Sequence, residues 1–124
     1  MMQFDFDHIA QVVPDIAAAV AWYRETIPGV TVLYEDLTWA FIEAAGTKIA
    51  FVVRDQHPGH LAWRVSAADL ETLAERYGAE IKPHRDNTRS FYLEAPGGQS
   101  IELISVEGSP WEALQAKADG AGKT

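Results

Sequence analysis

Apolar residues along this chain fall in short runs broken by turn formers, and in two places the spacing lengthens to the helical period. Phe6 to Val13 is the first run and is strand-like. Pro14-Asp15 ends it, with Asp15 as the N-cap of a helix. Ile16, Val20, Tyr23 and Ile27 recur at helical spacing as a buried stripe, which Pro28-Gly29 terminates. Three strands are predicted next, Thr31 to Glu35, Trp39 to Ala44 and Lys48 to Val53, the last two joined by a turn at Gly46-Thr47.

The same order then returns. A strand from His60 to Val65 leads to Ser66 as N-cap, with Asp69 three residues on in a capping-box-like arrangement. Leu70, Leu73 and Tyr77 supply the apolar stripe and Gly78 stops the helix. Strands at Glu80 to Lys82, Ser90 to Ala95 and Gln99 to Val106 follow, with Pro96-Gly97-Gly98 turning the last hairpin. Residues 1–55 and 56–107 thus read as two βαβββ modules. Gln56 to Gly59 is the linker, and 108–124 is a C-terminal extension with a short helix near Pro110-Trp111 and a frayed end from Ala118. The expected fold is α+β, the paired modules forming one curled mixed sheet around a central cavity with the helices outside.

Composition narrows the function. With 124 residues, 48% of them hydrophobic, the chain fits one domain or two half-domains sharing a core. No stretch approaches the roughly 20 apolar residues that span a bilayer, and the start lacks the charged-then-apolar pattern of a leader. A cytoplasmic protein without a membrane partner is expected. Cysteine is absent, so any metal must be held by nitrogen and oxygen. A formal charge of -8 argues against a phosphate backbone as partner and favours a small molecule.

The repeat carries the candidate chemistry. His8-Ile9-Ala10 and His60-Leu61-Ala62 open the two modules in the same way. Side chains alternate faces along a strand, so setting His8 on the concave face also places Phe6 and Ala10 there, and setting His60 there places Ala62 and Arg64. On the last strand Ser100, Glu102 and Ile104 share that side. Gly46 and Gly98 mark equivalent hairpins, and four residues beyond each stand Ala50 and Glu102. Three donors, His8, His60 and Glu102, therefore converge where a symmetric site would have four. Two imidazoles and one carboxylate with open positions suit a metal that works on its ligands; the alternative is the remnant of such a site in a binding protein. By the same parity Lys48, Arg64, Ser90 and Tyr92 turn inward and, with Ala50 and Ser100, form a candidate substrate pocket. Tyr92 is a candidate proton donor, whereas His84 lies in a charged loop and His57 beside Pro58-Gly59.

With these residues in place, the chain resembles the vicinal oxygen chelate superfamily, which contains glyoxalase I, methylmalonyl-CoA epimerase, extradiol dioxygenases, fosfomycin-resistance proteins and bleomycin-binding proteins. The resemblance runs from His8-Ile9-Ala10 through Pro14-Asp15 and Trp22-Tyr23-Arg24 to Pro96-Gly97-Gly98 and Ile101-Glu102-Leu103. It implies His8, His60 and Glu102 as ligands of one divalent ion (Mn, Fe, Zn or Ni), with Lewis-acid catalysis on a substrate chelated through neighbouring oxygens. It also implies a homodimer in which His8 comes from one chain and His60 and Glu102 from the other. Ala50 replaces the fourth ligand of the isomerase and epimerase branches and speaks against them. Two branches with three ligands remain. His84, Phe91-Tyr92, Pro96-Gly97-Gly98 and Glu102 resemble the extradiol dioxygenase signature, which would make His84 and Tyr92 catalytic. Ser90-Phe91-Tyr92 resembles a fosfomycin-resistance hairpin, with Lys48 and Arg64 as substitutes for that branch's missing arginine. Metal-free sequestration of the bleomycin-resistance type is the alternative function. Imidazole binds metal only when neutral, so affinity should fall below about pH 6.5.

Overall fold

Both helices start where the sequence supplies a cap. The Asp15 carboxylate accepts from the Ala18 amide at 2.9 Å, and the Ser66 hydroxyl accepts from the Asp69 amide at 3.1 Å. In the computed structural model, which describes residues 2–53, 58–84 and 86–106, these caps open α1 (Ile16–Thr26) and α2 (Ala67–Tyr77). Gln56 and His57 of the predicted linker and the extension with its expected short helix lie outside the described residues.

The strands are β1 (Asp5–Val12), β2 (Thr31–Glu35), β3 (Trp39–Ala44), β4 (Thr47–Val52), β5 (His60–Arg64), β6 (Lys82–Pro83), β7 (Arg89–Glu94) and β8 (Ser100–Ser105). They form one open eight-stranded sheet in the order β2-β3-β4-β1-β5-β8-β7-β6. Each module contributes one half. β1 and β5 pair antiparallel at the seam, flanked by the parallel pairs β1–β4 and β5–β8. The repeat is visible in the register, since Ala10 stands beside Ala50 as Ala62 stands beside Glu102.

Each helix covers the outer face of its own half. Ile16 and Val20 of α1 bury against Ala40, Ile42, Ile49 and Phe51, while Leu70, Leu73 and Ala74 of α2 bury against Val65, Phe91 and Leu103. Burial of these side chains, roughly 25 cal/mol per Å² of apolar surface, fixes which residues are left for the other face. The concave side is thereby free for a site. Among the described residues no helix is long and apolar enough to cross a membrane.

Four local expectations are corrected. Trp22, whose place in the helix reads as a packing position, is 57% exposed, because it lies off the Ile16-Val20-Tyr23 stripe, and its ring meets Tyr23 in a T-shaped contact. Tyr77 is 54% exposed; the helix ends there, and Ala79 and Ile81 take its place against the core. The predicted strand at Glu80 to Lys82 is displaced to the pair Lys82–Pro83, and Ile81 packs against the core ahead of it. The β3–β4 turn is Ala45-Gly46, both at positive φ (51° and 78°), as a two-residue hairpin loop needs to match the twist of its strands.

Candidate metal centre and cavity

β1, β5 and β8 lie side by side, and their inward side chains bring His8, His60 and Glu102 together. All three are buried, and one donor atom of each lies within 4.8 Å of the others. Nε2 of His8 is 3.6 Å and Nε2 of His60 is 3.2 Å from the same oxygen, Glu102 Oε1. Donors about 2.0 to 2.2 Å from a shared ion stand roughly 3 Å apart when adjacent in its coordination sphere, so this spacing suits a divalent ion. His60 Nε2 is buried without a hydrogen-bond partner. That is costly unless a Lewis acid takes its lone pair.

Both rings are held with Nε2 facing inward. His60 Nδ1–H donates to the Pro58 carbonyl at 2.7 Å, and His8 Nδ1–H donates to Asp7 Oδ2 at 2.6 Å. Asp7 was not expected here, because adjacent strand residues point to opposite faces. A β-bulge between Phe6 and His8 breaks the alternation. It turns Phe6 away from the concave face to meet Trp63 edge-on at 5.4 Å, correcting its expected position, and swings the Asp7 carboxylate under His8. Arg64 then reaches Asp7 Oδ1 at 3.4 Å. Because carboxylate partners of ligating imidazoles typically carry 10- to 100-fold in affinity, Asp7→Asn is expected to weaken metal binding by about that factor. Metal titration against a competing chelator measures it, and an unchanged dissociation constant would refute the role.

Glu102 is held from behind. Ser90 Oγ donates to Glu102 Oε2 at 2.7 Å and stands 2.6 Å from His84 Nε2, so with its own proton committed it accepts from that imidazole. Burial opposes ionisation of Glu102, but the close approach and charge of His60, the charge of His8 and the Ser90 hydrogen bond outweigh it and hold the carboxyl at about 2. Tyr92 shifts the other way. Burial first, then the charge of Glu102 and a hydrogen bond to it, push its hydroxyl well above the ordinary phenol value. Its ring stands edge-on to His60 at 5.1 Å.

The triad, Asp7, His84 and Tyr92 line a cavity of about 550 Å³. The first module supplies a largely apolar wall of Trp39, Phe41, Ala50 and Val52, with Thr38 beside it. Trp39 and Phe41 pack edge-on at 5.7 Å, and Phe41 meets the His8 ring at 5.5 Å. The second supplies His84, Asp86, Thr88, Tyr92, Ile104 and Val106. Of the expected residues, His84, Tyr92 and Ala50 line the cavity together with the triad. Lys48, Arg64, Ser90 and Ser100 do not. Ser90 is buried behind Glu102, Arg64 is taken by Asp7, Lys48 lies in register with Glu43, and Ser100 lies in register with His60 and Glu94. The triad is also complete within one chain, because β1 and β5 pair within it; the expected sharing between two chains is not needed to build the site.

The fold has solved counterparts. A manganese-bound glyoxalase from Novosphingobium aromaticivorans superposes with a TM-score of 0.61 at 17% identity, over 85% of this chain and 40% of that one. A variant of homoprotocatechuate 2,3-dioxygenase from Brevibacterium fuscum gives 0.64 at 18%, over 83% of this chain and 34% of the enzyme. A glyoxalase/bleomycin resistance protein/dioxygenase superfamily member from Vibrio splendidus gives 0.61 at 16%, over 86% of this chain and 100% of its own. This chain therefore spans about two fifths and one third of the two enzymes. No family model and no curated protein matches the sequence. The fold is that of the vicinal oxygen chelate superfamily.

Proposed function

We propose that this chain is a divalent-metal enzyme of the vicinal oxygen chelate superfamily, acting on a small aromatic substrate through two neighbouring oxygens in a ring-cleaving oxygenation. The buried, unpartnered Nε2 of His60, facing His8 and Glu102 beside an aromatic wall, is the observation that carries this reading. A bound ion would supply Lewis acidity, polarising the chelated oxygens and stabilising the charge that develops on them. The residues of the chain do the rest. Asp7 and Pro58 keep both imidazoles in the ligating tautomer, and Ala50 leaves the fourth position of a closed site apolar. Trp39 and Phe41 give the wall aromatic surface against which a ring can pack.

Tyr92 stays protonated at neutral pH and does not act as a base; its hydroxyl is hydrogen-bonded to Glu102 and would exchange that partner to donate to a substrate oxygen. His84, bonded to Ser90 on the opposite side of Glu102, is the proton carrier of the cavity. The dioxygenase and glyoxalase among the structural counterparts are consistent with this class. Phosphonate chemistry is disfavoured because among the described residues neither Lys nor Arg lines the cavity. Oxygen uptake by the iron- or manganese-loaded protein with catechol, accompanied by absorbance of a ring-opened product, is the expected result. Stoichiometric metal with catechol bound and no uptake would favour sequestration instead.

A further inference from the structure

The lining carboxylates differ in what they are engaged with. Asp7 is committed to His8 and Arg64, and Glu102 to the histidines and Ser90. Asp86 has no cationic partner among the described residues, yet it is held firmly: its Oδ1 accepts from the Thr88 amide at 3.0 Å and the Thr88 hydroxyl at 2.6 Å. Thr88 is itself 2% exposed, and its carbonyl accepts from the His84 amide at 2.8 Å, which ties the loop to the site. The second oxygen of Asp86 has no hydrogen bond among the described residues, and the residue lines the cavity.

An acid fixed in a cavity that neither Lys nor Arg lines among the described residues sets a sign for the ligand. A second carboxylate brought up to Asp86 with the substrate would lose its hydration beside a like charge. An ammonium group would donate a charge-assisted hydrogen bond to Asp86, and the aromatic ring of Trp39 lines the same cavity. We propose that the cavity selects a single-ring vicinal diol with a cationic side chain, and that Asp86 is the residue that receives the ammonium group. This deepens the chelation reading above and rests on it.

Calorimetric titration of manganese-loaded protein under nitrogen, where turnover is blocked, tests the assignment with catechols carrying aminoethyl, methyl or carboxymethyl groups. The expected order of affinity is aminoethyl, then methyl, then carboxymethyl, with about tenfold between the first two. In Asp86→Asn, which keeps an oxygen for the Thr88 turn, the aminoethyl-to-methyl ratio is expected to fall to near one, with metal content reporting that the protein is folded. Asp86→Lys is expected to reverse the order. If none of the three catechols binds, the chelation reading itself fails and takes this assignment with it. If all bind and the carboxymethyl compound equals the aminoethyl one, or Asp86→Asn leaves the ratio unmoved, chelation stands and the role of Asp86 is overturned.

Discussion

Purified without chelator, the protein is expected to carry about one divalent ion per chain, and His60→Ala less than about a tenth of that. Removing His60 leaves two donors, and loss of a direct ligand costs more than the 10- to 100-fold attached to an outer partner. His8→Ala and Glu102→Ala are expected to behave alike, because all three donor atoms share one 4.8 Å cluster. The same coupling appears in stability. A ligand present at a thousand times its dissociation constant adds about 4 kcal/mol to the folded state, which for a chain of this length is a rise in Tm of about 10 to 20 °C. Chelator should remove that increment from the wild type and leave the variants nearly unmoved. Elemental analysis with thermal unfolding checks both, and equal metal in all samples, or none in the wild type, would sink the metal centre.

The second large effect is the acid limb of the chelated protein. Glu102 is held at about 2 against an ordinary 4.5, so the fold favours its ionised form. That contribution is complete above pH 4.5 and is lost as pH falls toward 2. Between pH 6 and pH 3 the group should surrender about 2 kcal/mol. Glu102→Gln, which cannot ionise, is expected to be less stable at pH 6 and to lose about that much less on acidification. Urea unfolding of metal-free wild type and variant at the two pH values gives the comparison; parallel profiles would contradict it.

Strand parity and the repeat made much of this site readable. His60, Glu102, Ile104, Ala10 and Ala50 all face the cavity as alternation requires, and the hairpin count that paired Ala50 with Glu102 is reproduced by the strand register. Parity failed at Phe6 and Asp7, where one extra residue in β1 reverses the faces and nothing in Phe6-Asp7-His8 announces a bulge. It also gives a face without a reach. Arg64 is drawn to Asp7 and Lys48 sits opposite Glu43, both outside the cavity. His84 came from resemblance, and its position depends on hydrogen bonds to Thr88 and Ser90 that no periodicity encodes. Trp39 and Phe41 were read as strand residues, while their orientation follows from the Ala45-Gly46 turn that sets the register of β3 on β4.

The seam between β1 and β5 has a kinetic consequence. His8 belongs to one half of the sheet and His60 and Glu102 to the other, so an ion held by all three is a rivet across the rungs that join Ile9 to Leu61 and Ala10 to His60. It cannot stay fully bound while the halves part. The rate of metal exchange would therefore serve as a clock for the breathing of the two modules, and a substitution that loosens those rungs would quicken it without touching a ligand.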